Sequence, residues 1–297
     1  MNKSYFIDLI NTLPTGTVEL SNASYYLTIN PNKLKDKSIY TIDNYIETLE
    51  KYKFYEYIAS GSYNQVHIVK DSKTGNKYAY RSNIYMIYDE TQCAYSYLEY
   101  FIHWKLKDEI GVMKPYRIFN TEQYVNGIFE LMDGTLRDIL IKDTITTAVK
   151  TDIWIDCVRK LINILQNLQK KYQFVHNDFK TTNIFYKFKN STKFEPDNLE
   201  WFIGDFDFAR IVLDNKILFG NFVHNKENSM NYNPRIDLFI LVNSTYNDLN
   251  NIIANQILWS KIPIEKNKSF QKLYRTKYDN IPEIFEPSNF LNLIKDF

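Results

Sequence analysis

At 297 residues the chain can bury a substantial core as one large domain or two lobes, and 44% hydrophobic with 24% charged residues is ordinary globular composition. A formal net charge of +1 argues against a nucleic-acid-binding surface, and two cysteines in no metal-like spacing, Cys93 and Cys157, argue against a disulfide framework and for a reducing, intracellular, cytoplasmic setting. The opening MNKSYFIDLINTLPTG lacks the apolar core of a signal peptide, and the longest apolar run, Leu238 to Val242, is too short to span a bilayer.

Residues 1–51 carry weak patterning with turn signals at Pro14-Thr15-Gly16 and Asn30-Pro31-Asn32, and are expected to form an N-terminal extension packed on the main body. From Tyr52 two alternating stretches follow. Val66, Ile68 and Lys70 share one face, Tyr78 and Tyr80 another, and Lys73-Thr74-Gly75-Asn76 is the hairpin turn. Asp89 to Lys107 has a helical period, with Tyr95, Leu98, Ile102 and Leu106 at spacings of three and four. Two more strands are predicted in YRIFN and YVNGIFELM, the second turning at Asn126-Gly127.

The second half reads differently. Asp152 to Lys171 predicts a long helix with Ile155, Val158, Ile162, Leu165 and Leu168 on one stripe and Thr151 as its N-cap. Short strands surround HNDFKTTNIFYKF and LEWFIGDFDF, with the polar loop Lys189 to Asn198 between them, and the remainder is mainly helical.

The stretch HNDFKTTNIF carries the chemistry. Asp178, Lys180 and Asn183 sit at spacings of two and three just after a helix, and Asp205 ends a strand some twenty residues on. Phosphoryl transfer needs a group that orients the attacking hydroxyl, oxygen ligands for Mg²⁺, and positive charge near the phosphoryl group. Asp178 suits the first role, Asn183 and Asp205 the second, Lys180 the third. Taken alone, Asp178 could be a turn aspartate capping local amides, Asn183 a turn residue and Asp205 a solvated turn residue ending its strand.

With these residues in place the chain resembles the eukaryotic-type protein kinases, in a compact and divergent form like the kinases of large DNA viruses. His176, Asp178, Lys180 and Asn183 match H-R-D-x-K-x-x-N, and Asp205-Phe206 matches D-F-G with Asp207 in place of Gly. IASGSYNQV resembles the glycine-rich loop, keeping Gly61, with Tyr63 at its tip and Val66 over the adenine. YAYR stands where V-A-I-K is expected, so Ala79 would roof the adenine and Arg81 would replace the phosphate-binding Lys, opposite Glu99 on the following helix. FELMDGTLRDIL resembles the hinge, with Glu130 to Met132 placed toward adenine, and Asp237 resembles the aspartate that braces the catalytic loop.

The resemblance covers about Tyr52 to Ser244 and implies an α+β, bilobal kinase fold: a small antiparallel sheet with one helix over 52–133 and a shortened, mainly helical lobe over 134–297. It implies ATP and Mg²⁺ as cofactors and phosphotransfer to Ser or Thr of a protein. Asn177 stands where the family has Arg, which removes the usual receptor for a phosphorylated activation loop, and no A-P-E follows Asp205. Two alternatives stay open: a pseudokinase binding module, suggested by Arg81 and the eroded glycine loop, and a small-molecule kinase of the choline or aminoglycoside type, which GDFDFA also fits.

Overall fold

The computed structural model describes residues 51–60, 64–83, 99–120, 125–213, 216–219, 232–248 and 281–295. The N-terminal extension, Gly61, Tyr63 and the 89–98 part of the first expected helix lie outside the described residues. The described residues fall into two compact units, the first made of those up to Asp108, from Met113 to Leu131 and from Leu213 to Phe219, the second of Glu109–Val112, Met132–Val212 and those from Tyr232 on.

The first unit is a five-stranded antiparallel sheet of order β1-β2-β3-β5-β4, built from β1 (Tyr52–Ser60), β2 (Asn64–Asp71), β3 (Lys77–Asn83), β4 (Pro115–Asn120) and β5 (Val125–Glu130). The β2–β3 turn forms where the sequence places it. Asp71 Oδ1 accepts from the N–H of Lys73 at 2.9 Å and of Thr74 at 3.1 Å, and Gly75 takes a φ of +73°. Strand alternation sends Tyr80, with Tyr78 packed beside it, to a small core shared with Tyr52, Val69 and Ile128. Ala79 and Arg81 therefore lie on the opposite face, across from Ile68 and Val66. A helix over 99–106, α1, buries Tyr100, Phe101, Ile102 and Leu106 completely.

One expectation is corrected here. Asn126-Gly127 is not a turn but lies inside β5, paired with Ser82 and Arg81 of β3. The two residues serve packing instead. Asn126 Oδ1 accepts a hydrogen bond from the buried Tyr80 hydroxyl at 2.8 Å, and a Cβ at Gly127 would come within 2.4 Å of the Phe129 ring. The glycine is required by the close approach of aromatic rings, which its sequence neighbours do not reveal.

In the second unit α2 (Leu136–Leu140) begins with a capping box between Thr135 and Asp138. The long helix α3 (Thr147–Tyr172) starts earlier than the sequence suggests. Its N-cap is Thr146, and Thr151 lies within it, its hydroxyl donating to Thr147 O at 3.0 Å. The expected stripe of Ile155, Val158, Ile162, Leu165 and Leu168 is buried. A three-stranded sheet, β6 (Gly134–Thr135), β7 (Ile184–Phe188) and β8 (Leu199–Ile203), carries the two motif-bearing stretches side by side. The loop between β7 and β8 is closed on Asn198, whose side chain bonds Asn190 and Ser191 N–H groups and the Lys193 carbonyl. The helix α4 (Ile236–Asp248) is apolar around much of its girth, and Leu238 to Val242 are all buried. A last short helix, α5 (Pro287–Leu293), packs Phe290 on Phe285.

Candidate active site

The stretch HNDFKTTNIF follows shortly after the end of α3. That helix closes at Gln173 in a left-handed conformation, φ 44°, and the chain then pairs with β9 (Arg210–Leu213): Val175 and Arg210 exchange backbone hydrogen bonds of 2.9 and 2.7 Å. The backbone turns left-handed again at Asn177, φ 63°, a conformation that Asn tolerates better than most residues. Both sides of this turn are pinned to α4. The buried Asp237 carboxylate accepts from His176 N at 2.9 and 3.1 Å and from Asn177 N at 2.9 Å. Burial pushes the Asp237 carboxyl up to about 7, against these two N–H donors, which favour its ionised form.

Asn177 and His176 tie this stretch to the segment that carries Asp205. Asn177 Nδ2 donates to Phe208 O at 2.9 Å. His176 Nε2 is 2.9 Å from Gly204 O, and since a carbonyl only accepts, that nitrogen carries the proton. The His176 ring is fully buried and meets Phe174, Phe179 and Phe206 edge-on at 5.4 to 6.2 Å. Burial lowers its pKa, outweighing the nearby Asp178 and the Gly204 bond, so the ring is held neutral. It acts as a packed strut rather than a proton-transfer group.

The four motif residues beyond His176 converge. Asp178 Oδ2 accepts from Lys180 Nζ at 2.7 Å and from Asn183 Nδ2 at 2.9 Å, so its carboxylate is oriented by two bonds. Asn183 Nδ2 also reaches Asp178 O at 2.9 Å. Both contacts use the amide nitrogen, which directs the amide oxygen the other way. Gly204 N donates to Asn183 O at 3.3 Å, and this brings Asn183 and Asp205 to the same end of the β7–β8 pair. Asp205 is half-buried with φ 66°. Burial works against the charge on Lys180, but Asp178, and then Asp205 and Asp207, outweigh it and leave its pKa raised. An ammonium, an oriented carboxylate and two oxygen-bearing side chains thus share one small region. This donor set of oxygen ligands suits Mg²⁺.

In the first unit, Arg81 donates to Glu99 through a close, buried hydrogen bond, joining β3 to α1. Val66 and Ala79 are half-buried on the same sheet face as Arg81. Glu130 N is bonded to Lys114 O at 2.9 Å, and Met132 is where the chain enters the second unit again after Leu131. The sequence reading passed over Thr181, the link of Asn177 to Phe208, and Arg210, which donates to Gln173 O at 2.9 Å and lies over the Tyr232 ring. Their partners are far away in sequence, so nothing local marks them.

The protein kinase domain model matches residues 52–232, which is well over half of the chain. The chain belongs to the protein kinase family. Its fold is accordingly the α+β, bilobal kinase fold, with an antiparallel N-lobe sheet and a helix-rich C-lobe. A search of curated proteins returned no match. Among the described residues, no helix of this kinase is long and apolar enough to cross a membrane.

Proposed function

We propose that this kinase transfers the γ-phosphate of ATP to Ser or Thr of a protein substrate with Mg²⁺ bound, acting in the cytoplasm and without a nucleic-acid partner. The observation that carries the reading is the bonded set of Asp178, Lys180 and Asn183 with Asp205 beside it. Asp178 orients the attacking hydroxyl and takes its proton. Lys180, held to Asp178 in the resting site, supplies positive charge to the transferred group. Asn183 and Asp205 would hold the metal through oxygen atoms, and the bound Mg²⁺ supplies charge neutralisation at the phosphates. Gly61, Tyr63, Val66, Ala79, Glu130 and Met132 would contact the nucleotide, and Arg81, braced by Glu99, would face its phosphates.

Lys180 favours this reading over a small-molecule kinase, because enzymes of the choline or aminoglycoside type usually lack a lysine there. The second reading is a pseudokinase, and the specific observation behind it is that Arg81 stands where the family has its phosphate-binding Lys, beside a glycine-rich loop that keeps only Gly61. Incubating the purified chain with radiolabelled ATP and Mg²⁺, alone and with casein or a small alcohol as acceptor, separates the readings. Label on protein supports the proposal. Nucleotide binding without transfer supports the pseudokinase, and label only on the alcohol supports the small-molecule kinase.

A further inference from the structure

The catalytic stretch is held by α4 at two places, and only one of them corresponds to a motif. Asp237, in the first turn of α4, holds the backbone at His176 and Asn177. At the far end of the same helix Ser244 Oγ accepts from Thr181 N at 3.2 Å, and the Thr181 hydroxyl makes a close hydrogen bond to Asp248 Oδ2. Thr181 is 1% exposed and lies between Lys180 and Asn183. Asp248 is in turn bonded through Oδ1 to Arg137 Nε of α2 at 3.1 Å.

Asp248 is an odd residue to find there. Its side chain is only 16% exposed, and its Arg137 partner is half in solvent, so that ion pair alone offers little compensation. What its placement achieves is a charged acceptor for a buried hydroxyl. A charge-assisted bond is shorter and stronger than a neutral one. Thr181 can answer with both a hydroxyl and an N–H, so the residue is fixed in two directions at once.

We propose that Asp248 is a positioning residue for phosphotransfer: with Ser244 it fixes Thr181, and through Thr181 it sets Lys180 and Asp178 relative to Asn183. The inference rests on the kinase reading above. Lys180 N bonds Asp178 O at 2.8 Å and Asn183 N bonds Lys180 O at 2.9 Å, so a shift at Thr181 is passed in both directions along three bonded residues. A displacement of about 1 Å at such a site lowers turnover by roughly a hundredfold.

The test uses the full chain with Mg²⁺ and ATP, reading transfer to casein and phosphate release to water, for the parent, Thr181→Val, Thr181→Ser, Asp248→Ala and the Thr181→Val/Asp248→Ala double variant. Hydrogen exchange over 176–183 is followed in the same samples. We expect Thr181→Val and Asp248→Ala each to lower kcat by about 10- to 100-fold with KM for ATP changed less than about twofold. The double variant falls no further than the worse single one, and Thr181→Ser recovers turnover. Exchange over 180–183 speeds up in Asp248→Ala while the unfolding midpoint of α3 and α4 stays. Unchanged kcat, independent multiplicative losses, or a loss confined to KM overturns the positioning role. An inert parent overturns the kinase reading itself. Accelerated exchange in that case still supports the clamp on Thr181, and unaltered exchange removes it too.

Discussion

The two groups of candidate residues, one in each unit, are held in very different ways. Around Asp178 almost every polar group is bonded: Asp237 below, Asn177 and His176 toward the Asp205 segment, Lys180 and Asn183 on the carboxylate, Ser244 and Asp248 behind. Around Arg81 the buried ion pair with Glu99 joins β3 to α1, on a strand whose neighbours are chosen for ring packing. The first arrangement is over-determined, so its residue types have little freedom. In the second, the contact with Glu99 is one that either cation can make, and there the chain carries Arg where the family carries Lys.

The sharpest way to break this contrast is to change the group that the first arrangement serves. Asp178→Asn is expected to lower turnover by about a thousandfold while leaving ATP affinity nearly unchanged, because the amide cannot take the hydroxyl proton. Turnover within a few-fold of the parent, in a steady-state assay, would remove Asp178 from the catalytic role. Asp237→Ala should act on stability first. It strands two buried N–H groups at His176 and Asn177, which costs roughly 3 kcal/mol and lowers the midpoint of urea unfolding. A midpoint shifted by no more than a surface substitution would mean that the clamp is dispensable.

Arg81→Lys probes the other side and should have a smaller effect. The ammonium is compact and still reaches Glu99, so ATP affinity is kept and phosphotransfer rises several-fold, about 1 kcal/mol in barrier. If the Lys variant is instead inactive while the parent transfers phosphate at saturating ATP, the first unit has been rebuilt around arginine and is as constrained as the second. The smallest effect is a pH dependence at His176. Its pKa is lowered in the folded chain, so its contribution is present above the unfolded value of 6.5 and is lost as pH falls through the lower folded value. The parent should therefore lose more stability than His176→Gln between pH 7.5 and 5.5, by up to about 1.4 kcal/mol per pH unit. Parallel stability curves for the two would show that the ring is not held neutral.

The sequence by itself determined the strand pairs and helices whose apolar residues repeat at short period, such as β2–β3 and the buried stripe of α3. It also marked Asp178, Lys180, Asn183 and Asp205, because their chemistry depends on spacings within one short stretch and one strand end. Tertiary structure alone decided that Asn126-Gly127 runs through β5, since what excludes a Cβ at Gly127 is the Phe129 and Tyr100 rings around it. It also decided how the HNDFKTTNIF stretch is anchored. The partners of Asn177 and Thr181 lie 31 to 67 residues further along the chain, and a single hydrogen bond between such distant residues leaves no period, cap or turn for sequence reasoning to detect.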